Sequence, residues 1–309
     1  YWLYIEKTLR NKMDYSNLDA FFMQYIVYKT SKPVNSRQLY NSFVKLFKDS
    51  GYSQENILKE LRYYAEIFGA FVYGSDKYSD RINKLLYRLR VLNQTTCYPF
   101  LLHVFDDYHQ GVITEESVEK ILQFILAYLL RRMVCGVPSN TLRGLFTYLY
   151  NRIFKVASNK QKYYETLNKF LFTVSSKDVI PSAAEFERAL QKANIYGNNA
   201  LCRFLLLDIE NGDGKEILQA ENLTIEHIMP QTLSADWNHI RPEEHEEYLH
   251  TLGNLSVTGY NSELSNKSFA EKQDIIRENS KAVILNSDVL DKESWNVADI
   301  QARAKRLAG

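Results

Sequence analysis

Cysteine is scarce in this chain of 309 residues. Cys97, Cys135 and Cys202 lie far apart and show no paired spacing. That excludes a disulfide framework and a zinc ribbon, and it suits a chain that works in a reducing cytoplasm. An excess of charge of one sign is also missing. With 38 Lys and Arg against 37 Asp and Glu, the net charge is +1. No global basic field marks a nucleic-acid binder, although such a balance still permits a local basic face. No apolar run approaches the length of a membrane span and no secretory leader opens the sequence, so no membrane partner is expected. No strict internal period is present, which argues against a repeat solenoid. The opening Tyr1-Trp2-Leu3 reads like the middle of a helix, so the sequence is expected to be part of a longer chain.

Aromatic residues, in contrast, are plentiful: 22 Tyr and 16 Phe. Most suit core positions or amphipathic surface, because tyrosine joins an apolar body to a polar tip. The length predicts two domains. Apolar residues recur at helical spacing through the first two thirds. Examples are Leu18, Phe21, Phe22, Tyr25 and Ile26, with Asn17 as N-cap, and Val118, Ile121, Leu122, Ile125 and Leu129. Leu201 to Leu207 reads as a buried helix, and Gly51 as a C-cap. No hairpin signal appears before Asn211. Residues 1–219 are therefore expected to form a large all-α domain.

Glu210-Asn211-Gly212-Asp213-Gly214-Lys215 reads as the linker between domains. Two motifs fail there. A calcium loop from Asp208 needs Gly and Glu where Asp213 and Gln219 stand. A phosphate-binding loop ending in Gly214-Lys215 needs Gly at Ile209 and Ser or Thr at Glu216. Beyond the linker the pattern changes to a small α+β domain over residues 220–309. Leu223 to Ile225 and Leu255 to Thr258 read as short strands, the second half-buried. Glu243 to Leu252, Ser268 to Arg277 and a last stretch through Val297, Ile300 and Leu307 read as helices, with Arg303, Lys305 and Arg306 on the wet side of the last.

The chemistry concentrates in Leu223-Thr224-Ile225-Glu226-His227-Ile228-Met229-Pro230-Gln231 and in the asparagines that follow. Phosphodiester hydrolysis needs a base for water, a charge to neutralise the phosphorane, and stabilisation of the leaving oxygen. A neutral imidazole suits the first task and a hard cation on oxygen ligands the others. In this reading His227 is the general base, Asn254 braces the loop that carries it, and Glu226 with Asn261 binds Mg²⁺, or Mn²⁺. Asn266 competes with Asn261 for the second ligand position. Glu226 and His227 share a site only if the chain bends between them, because neighbours on a regular strand face opposite ways. Lys267, Lys272 and Arg277 flank the stretch as candidate DNA contacts, with Lys281 beside them. His245 and His250, five apart in a helical stretch, have the wrong spacing for two ligands on one helix face.

One resemblance ties these residues together. Ile225 to Gln231, Trp237, Leu252-Gly253-Asn254-Leu255, Asn261, Ser265-Asn266, Phe269, Lys272, Trp295, Ile300, Arg303 and Leu307 resemble the C-terminal nuclease domain of GmrSD-type restriction enzymes. That domain is a variant of the HNH, or ββα-metal, nuclease fold. Arg131 to Gly136 with Ser139-Asn140 is similar to the helical region that precedes it. The resemblance implies a metal-dependent DNA endonuclease of a modification-dependent or antiphage restriction system. It also implies a partner that the sequence does not contain, an N-terminal nucleotide-hydrolysing domain. The alternative is a helical sensing module whose nuclease domain is silent without that partner. Homo-oligomerisation is left open. Asparagine in place of histidine at the last position of the pattern favours Mg²⁺ or Mn²⁺ over zinc.

Overall fold

A computed structural model of the chain describes residues 1–10, 16–174, 177–212, 218–219, 223–258 and 264–308. Over these residues the protein is mainly helical, with one small antiparallel sheet of two strands. No helix among them is long and apolar enough to cross a membrane. The chain packs as two compact units. The first holds Tyr1–Leu129 and Pro138–Ile180, the second Leu130–Val137 and Pro181–Gly309.

The first unit is built from α1 (Trp2–Leu9), α2 (Ser16–Thr30), α3 (Leu39–Ser50), α4 (Gln54–Tyr73), α5 (Asp80–Val91), α6 (Tyr98–His109), most of α7 (Glu115–Val134), α8 (Leu142–Phe154) and α9 (Tyr163–Thr173). Its boundaries follow local chemistry. Ser53 and Ser79 cap α4 and α5 by accepting the amides of Asn56 and Ile82. Gly51, at φ +67°, ends α3 in the left-handed conformation that glycine adopts without penalty. Asn17 is not the expected N-cap. The helix already includes Ser16, and the Asn17 amide donates to the Tyr73 hydroxyl instead. The Val118-to-Leu129 stripe of α7 is fully buried, as its period requires.

After the end of α7, the second unit continues with α10 (Ala183–Lys192), started by a Ser182–Glu185 capping box, and α11 (Asn199–Gly212). Then follow β1 (Thr224–His227), α12 (Pro242–Tyr248), β2 (Leu255–Thr258), α13 (Phe269–Asn279), α14 (Ser287–Leu290) and α15 (Val297–Ala308). The expected linker is helical in its first half. Leu201, Cys202, Leu205, Leu206 and Glu210 are buried along α11, so packing carries the helix through Gly212 despite the turn-forming composition. The Glu210 carboxylate is buried and accepts the amides of Val283, Ile284 and Leu285 at 2.7, 3.2 and 2.9 Å. Asn211 closes the next loop by bonding both backbone groups of Leu218. Asp213, Gly214 and Lys215 lie outside the described residues.

β1 and β2 pair antiparallel, with Thr224 opposite Thr258, Ile225 opposite Val257, Glu226 opposite Ser256 and His227 opposite Leu255. β2 is buried on both faces, not half-buried, because Ser256 and Thr258 are also shielded from water. The core beside the sheet holds Ile228, Met229, Trp237, Ile240, Leu264, Ile276, Val289, Trp295 and Ile300. Burying an apolar side chain of Met or Phe size is worth roughly 1.5–3 kcal/mol, and Ile228 and Met229, which follow β1, are fully buried in this cluster.

Candidate active site

β1 pairs regularly through His227, and the chain leaves the strand only at Ile228. The bend on which a shared Glu226–His227 face depends therefore comes one residue late. Glu226 is half-buried on the strand, while His227 is 4% exposed.

The loop after β1 is clamped from three sides. Asn254 is fully buried, and its Oδ1 accepts the Met229 amide at 2.7 Å. Its Nδ2 donates to the carbonyls of Met229, at 3.0 Å, and Leu249, at 2.9 Å. The Asn254 carbonyl accepts from the Ile228 amide. One carboxamide thus satisfies both backbone groups of Met229, which burial would otherwise leave unpaired at a cost of about 1–3 kcal/mol each. Gly253 is dictated by close approach: a Cβ there would lie 2.1 Å from the Ile300 carbonyl oxygen of α15. Arg303 of α15, expected on the wet side, is 2% exposed. It donates to the carbonyls of Gly253, Leu255 and Leu285 at 2.7, 2.8 and 2.8 Å. Fixing those carbonyls draws the guanidinium inward, and burial lowers its pKa to about 10, so it stays charged.

Lys272 of α13 supplies the third clamp. It is fully buried, and its Nζ donates to the His227 carbonyl at 2.8 Å. Burial pushes its pKa down to about 8, with the charge of Glu226 acting in the opposite direction. It is not the surface cation expected for DNA contact. The capping box of Ser268 and Glu271 sets the start of α13 so that Lys272 faces the sheet. Lys267 and Arg277 are exposed, Arg277 in an ion pair with Asp274 at 2.9 Å. Asn266 sits exposed in the turn before α13. Asn261 lies outside the described residues.

Around the His227 ring the structure gathers residues that the sequence pattern did not single out. His227 Nε2 lies 3.1 Å from His250 Nδ1, and the Gln231 amide donates to His227 Nδ1 over 3.4 Å. The Tyr196 ring stacks on His250, with centroids 5.0 Å apart, and meets His227 edge-on at 4.5 Å. His245 Nε2 bonds the Pro230 carbonyl at 2.8 Å. The spacing of His245 and His250 was misleading because α12 ends at Tyr248, so His250 is off the helix. Nothing in the sequence marks Tyr196, which precedes α11. Loss of hydration, then the neighbouring His250, Lys272 and His245, depress the His227 pKa from 6.5 to about 3. His250 is lowered for the same first reason. Both rings are neutral at neutral pH. No group of three or more His, Cys, Asp or Glu among the described residues is placed to hold a metal ion.

No curated protein matches the chain. A family model does match, beginning at Ile180, the last residue of the first compact unit, and running to the last residue. The family is one of restriction endonucleases, which makes DNA the substrate class that goes with the domain. Residues 180–309 match the family described as GmrSD restriction endonucleases, C-terminal domain.

Proposed function

We propose that residues 180–309 form a metal-dependent DNA endonuclease of the HNH-like, ββα-metal kind, working in a modification-dependent or antiphage restriction system. The observation that carries this reading is the clamped end of β1. Asn254 fixes Met229, Lys272 fixes the His227 carbonyl, and the imidazole is thereby presented from a rigid backbone. The element order β1, β2, α13 supports the ββα assignment.

In this mechanism His227 accepts the proton of the attacking water. The ring is neutral at working pH, as a base must be. Nδ1 is the accepting atom, reached when water replaces the long contact from Gln231. An entering phosphate anion favours the protonated ring and so raises its basicity above that of the empty site. Lys267 and Arg277, both exposed, hold backbone phosphates.

Asn266, or Asn261, would hold Mg²⁺ or Mn²⁺ together with substrate phosphate and water, oxygen donors that suit a hard cation. Glu226 would join them only by leaving the regular strand pairing that turns it away from His227. When bound, the ion supplies charge neutralisation at the phosphate and stabilises the leaving oxygen.

A plasmid-nicking assay tests the reading. Wild type cuts with Mg²⁺ or Mn²⁺ and stops in EDTA, and folded His227→Ala does not cut. Wild-type cutting by His227→Ala removes the base from His227, and full cutting in EDTA removes the metal. A second reading has its own support: both ring nitrogens of His227 are already engaged, by His250 and Gln231. The domain would then be silent until a nucleotide-hydrolysing partner domain releases it. Chain 1–309 that binds DNA but cuts with no divalent metal favours that reading.

A further inference from the structure

His250 has no part in the mechanism proposed for this site, yet it meets the His227 ring at the nitrogen that the attacking water does not use. The two residues come from different segments, His227 from the end of β1 and His250 from the turn after α12. One side chain holds those segments together. Asn254 bonds both backbone groups of Met229, two residues after His227, and the carbonyl of Leu249, one residue before His250. A third segment fixes the His250 ring. The His250 carbonyl accepts the Ile195 amide at 3.1 Å. The next residue, Tyr196, lays its ring parallel to the imidazole, with 9° between the planes and centroids 5.0 Å apart. The contact between the two histidines is thus held by backbone segments that are tied to one another.

The protons on the two rings follow from the groups around them. The Gln231 amide nitrogen can only donate, so His227 Nδ1 accepts and carries no proton. A neutral imidazole has one N–H, which here sits on Nε2. That Nε2 donates to His250 Nδ1 over 3.1 Å, and His250 keeps its own proton on Nε2. Burial keeps both rings neutral near pH 7, so His250 has the lone pair that the bond needs.

We infer, taking His227 as the base proposed for this site, that His250 is a positioning residue: it holds His227 in the tautomer and ring orientation that leave Nδ1 to accept the water proton. The contact at Nε2 does not obstruct the base; only the contact from Gln231 at Nδ1 gives way to water. The bond to His250 also strengthens during the reaction. Once Nδ1 has taken the proton, the ring is an imidazolium, and Nε2–H to His250 Nδ1 becomes a charge-assisted bond. The Nε2 proton stays on His227 throughout. Because that gain comes with the proton transfer, it lowers the barrier and does not tighten substrate binding.

Two readouts on the chain 1–309 test this role, and one of them needs no cleavage. With ¹⁵N-labelled histidine, nitrogen NMR tells a protonated ring nitrogen from a bare one, and His227→Phe identifies the His227 signals by their loss. Wild type is expected to show His227 protonated at Nε2 and bare at Nδ1. His250→Ala is expected to give the averaged signals of a ring that exchanges tautomers. His250→Asn, whose Oδ1 stands near the place of Nδ1, is expected to restore the wild-type pattern. The signals of the remaining histidines check that each variant is folded. In nicking with Mg²⁺ or Mn²⁺, His250→Ala is expected to lower kcat about three- to tenfold, the worth of one hydrogen bond, with KM for DNA unchanged and His250→Asn close to wild type. Wild type with the proton on Nδ1 overturns the role, and so does folded His250→Ala with wild-type His227 signals or an unchanged kcat. The expected tautomers in a chain that cuts no DNA overturn His227 as the base, and the positioning role with it, but not the tautomer that His250 sets.

Discussion

Each unit holds a histidine whose pKa is depressed to about 3, and the two have different surroundings. In the first unit His103 is packed between aromatic rings, parallel to Tyr150 with centroids 3.8 Å apart and 4.2 Å from Tyr28. Loss of hydration and the cations Lys160 and Lys29 keep it neutral. Asp107 beside this layer is fully engaged by the Tyr150 hydroxyl and the Lys160 ammonium. In the second unit His227 has polar groups on both ring nitrogens, at the end of a strand whose neighbouring loop is pinned by buried side chains. The same pKa shift thus accompanies a stacked imidazole and an imidazole with polar groups on both ring nitrogens. A depressed pKa reports burial; proton-transfer chemistry needs an addressable ring nitrogen as well.

The largest effect that separates the two histidines is on cleavage. His227→Ala is expected to lower nicking by about 10²–10⁴-fold, the usual contribution of a general base. His103→Phe, which keeps a stacked ring, is expected to leave nicking within about threefold, under about 0.7 kcal/mol in the barrier. A loss with His103→Phe as large as that with His227→Ala, in a folded protein, would make both effects structural. Next comes Asn254→Ala. It strands the amide and carbonyl of Met229 and the carbonyl of Leu249, so the second unit is expected to lose about 3 kcal/mol or more in urea unfolding. An unchanged urea midpoint with lost metal binding would move Asn254 from the brace to the ion.

Much of the fold was legible in the sequence, and its failures have physical causes. Stripes such as Val118 to Leu129 and caps such as Gly51 are local, and they stand where the pattern put them. Both strands also formed, together with a buried Asn254. Residues whose role is set by a distant partner were misread. Lys272 and Arg303 look like surface cations because lysine and arginine usually are, yet each is drawn inward to bond backbone carbonyls. Glu210 looks like part of a turn until the amides of residues 283–285 meet it. His250 and Tyr196 reach His227 from separate segments, a contact that no local period encodes.

The pH dependence of stability should treat the two histidines alike. Each folded pKa is depressed from 6.5 to about 3, so between these values the unfolded chain binds the extra proton. The stability is present above pH 6.5 and is lost as pH falls toward 3. At pH 4.5 each histidine accounts for about 2–3 kcal/mol of the loss. Urea midpoints at pH 7.5 and 4.5 should therefore lie closer together in His103→Phe and in His227→Phe than in wild type. If one variant keeps the wild-type gap, its histidine protonates in the folded state, and the likeness between the two sites ends there.

The smallest effect isolates what is particular to His227. Gln231 is exposed, and its bond to Nδ1 is long, 3.4 Å, so it holds little stability. Gln231→Ala should change unfolding by less than about 0.5 kcal/mol, the range of an ordinary surface substitution. Its effect on cleavage depends on what the contact does. If the amide merely occupies the place of the attacking water, its removal leaves nicking unchanged or raises it a few-fold, because Nδ1 becomes accessible at no cost in positioning. If the amide orients the ring, nicking falls while the urea midpoint stays in place. The backbone clamps from Asn254 and Lys272 already fix the strand end without help from Gln231, so the expected outcome is the first. A fall approaching that of His227→Ala would show that the clamps hold the backbone but leave the imidazole itself to be aimed by its neighbours.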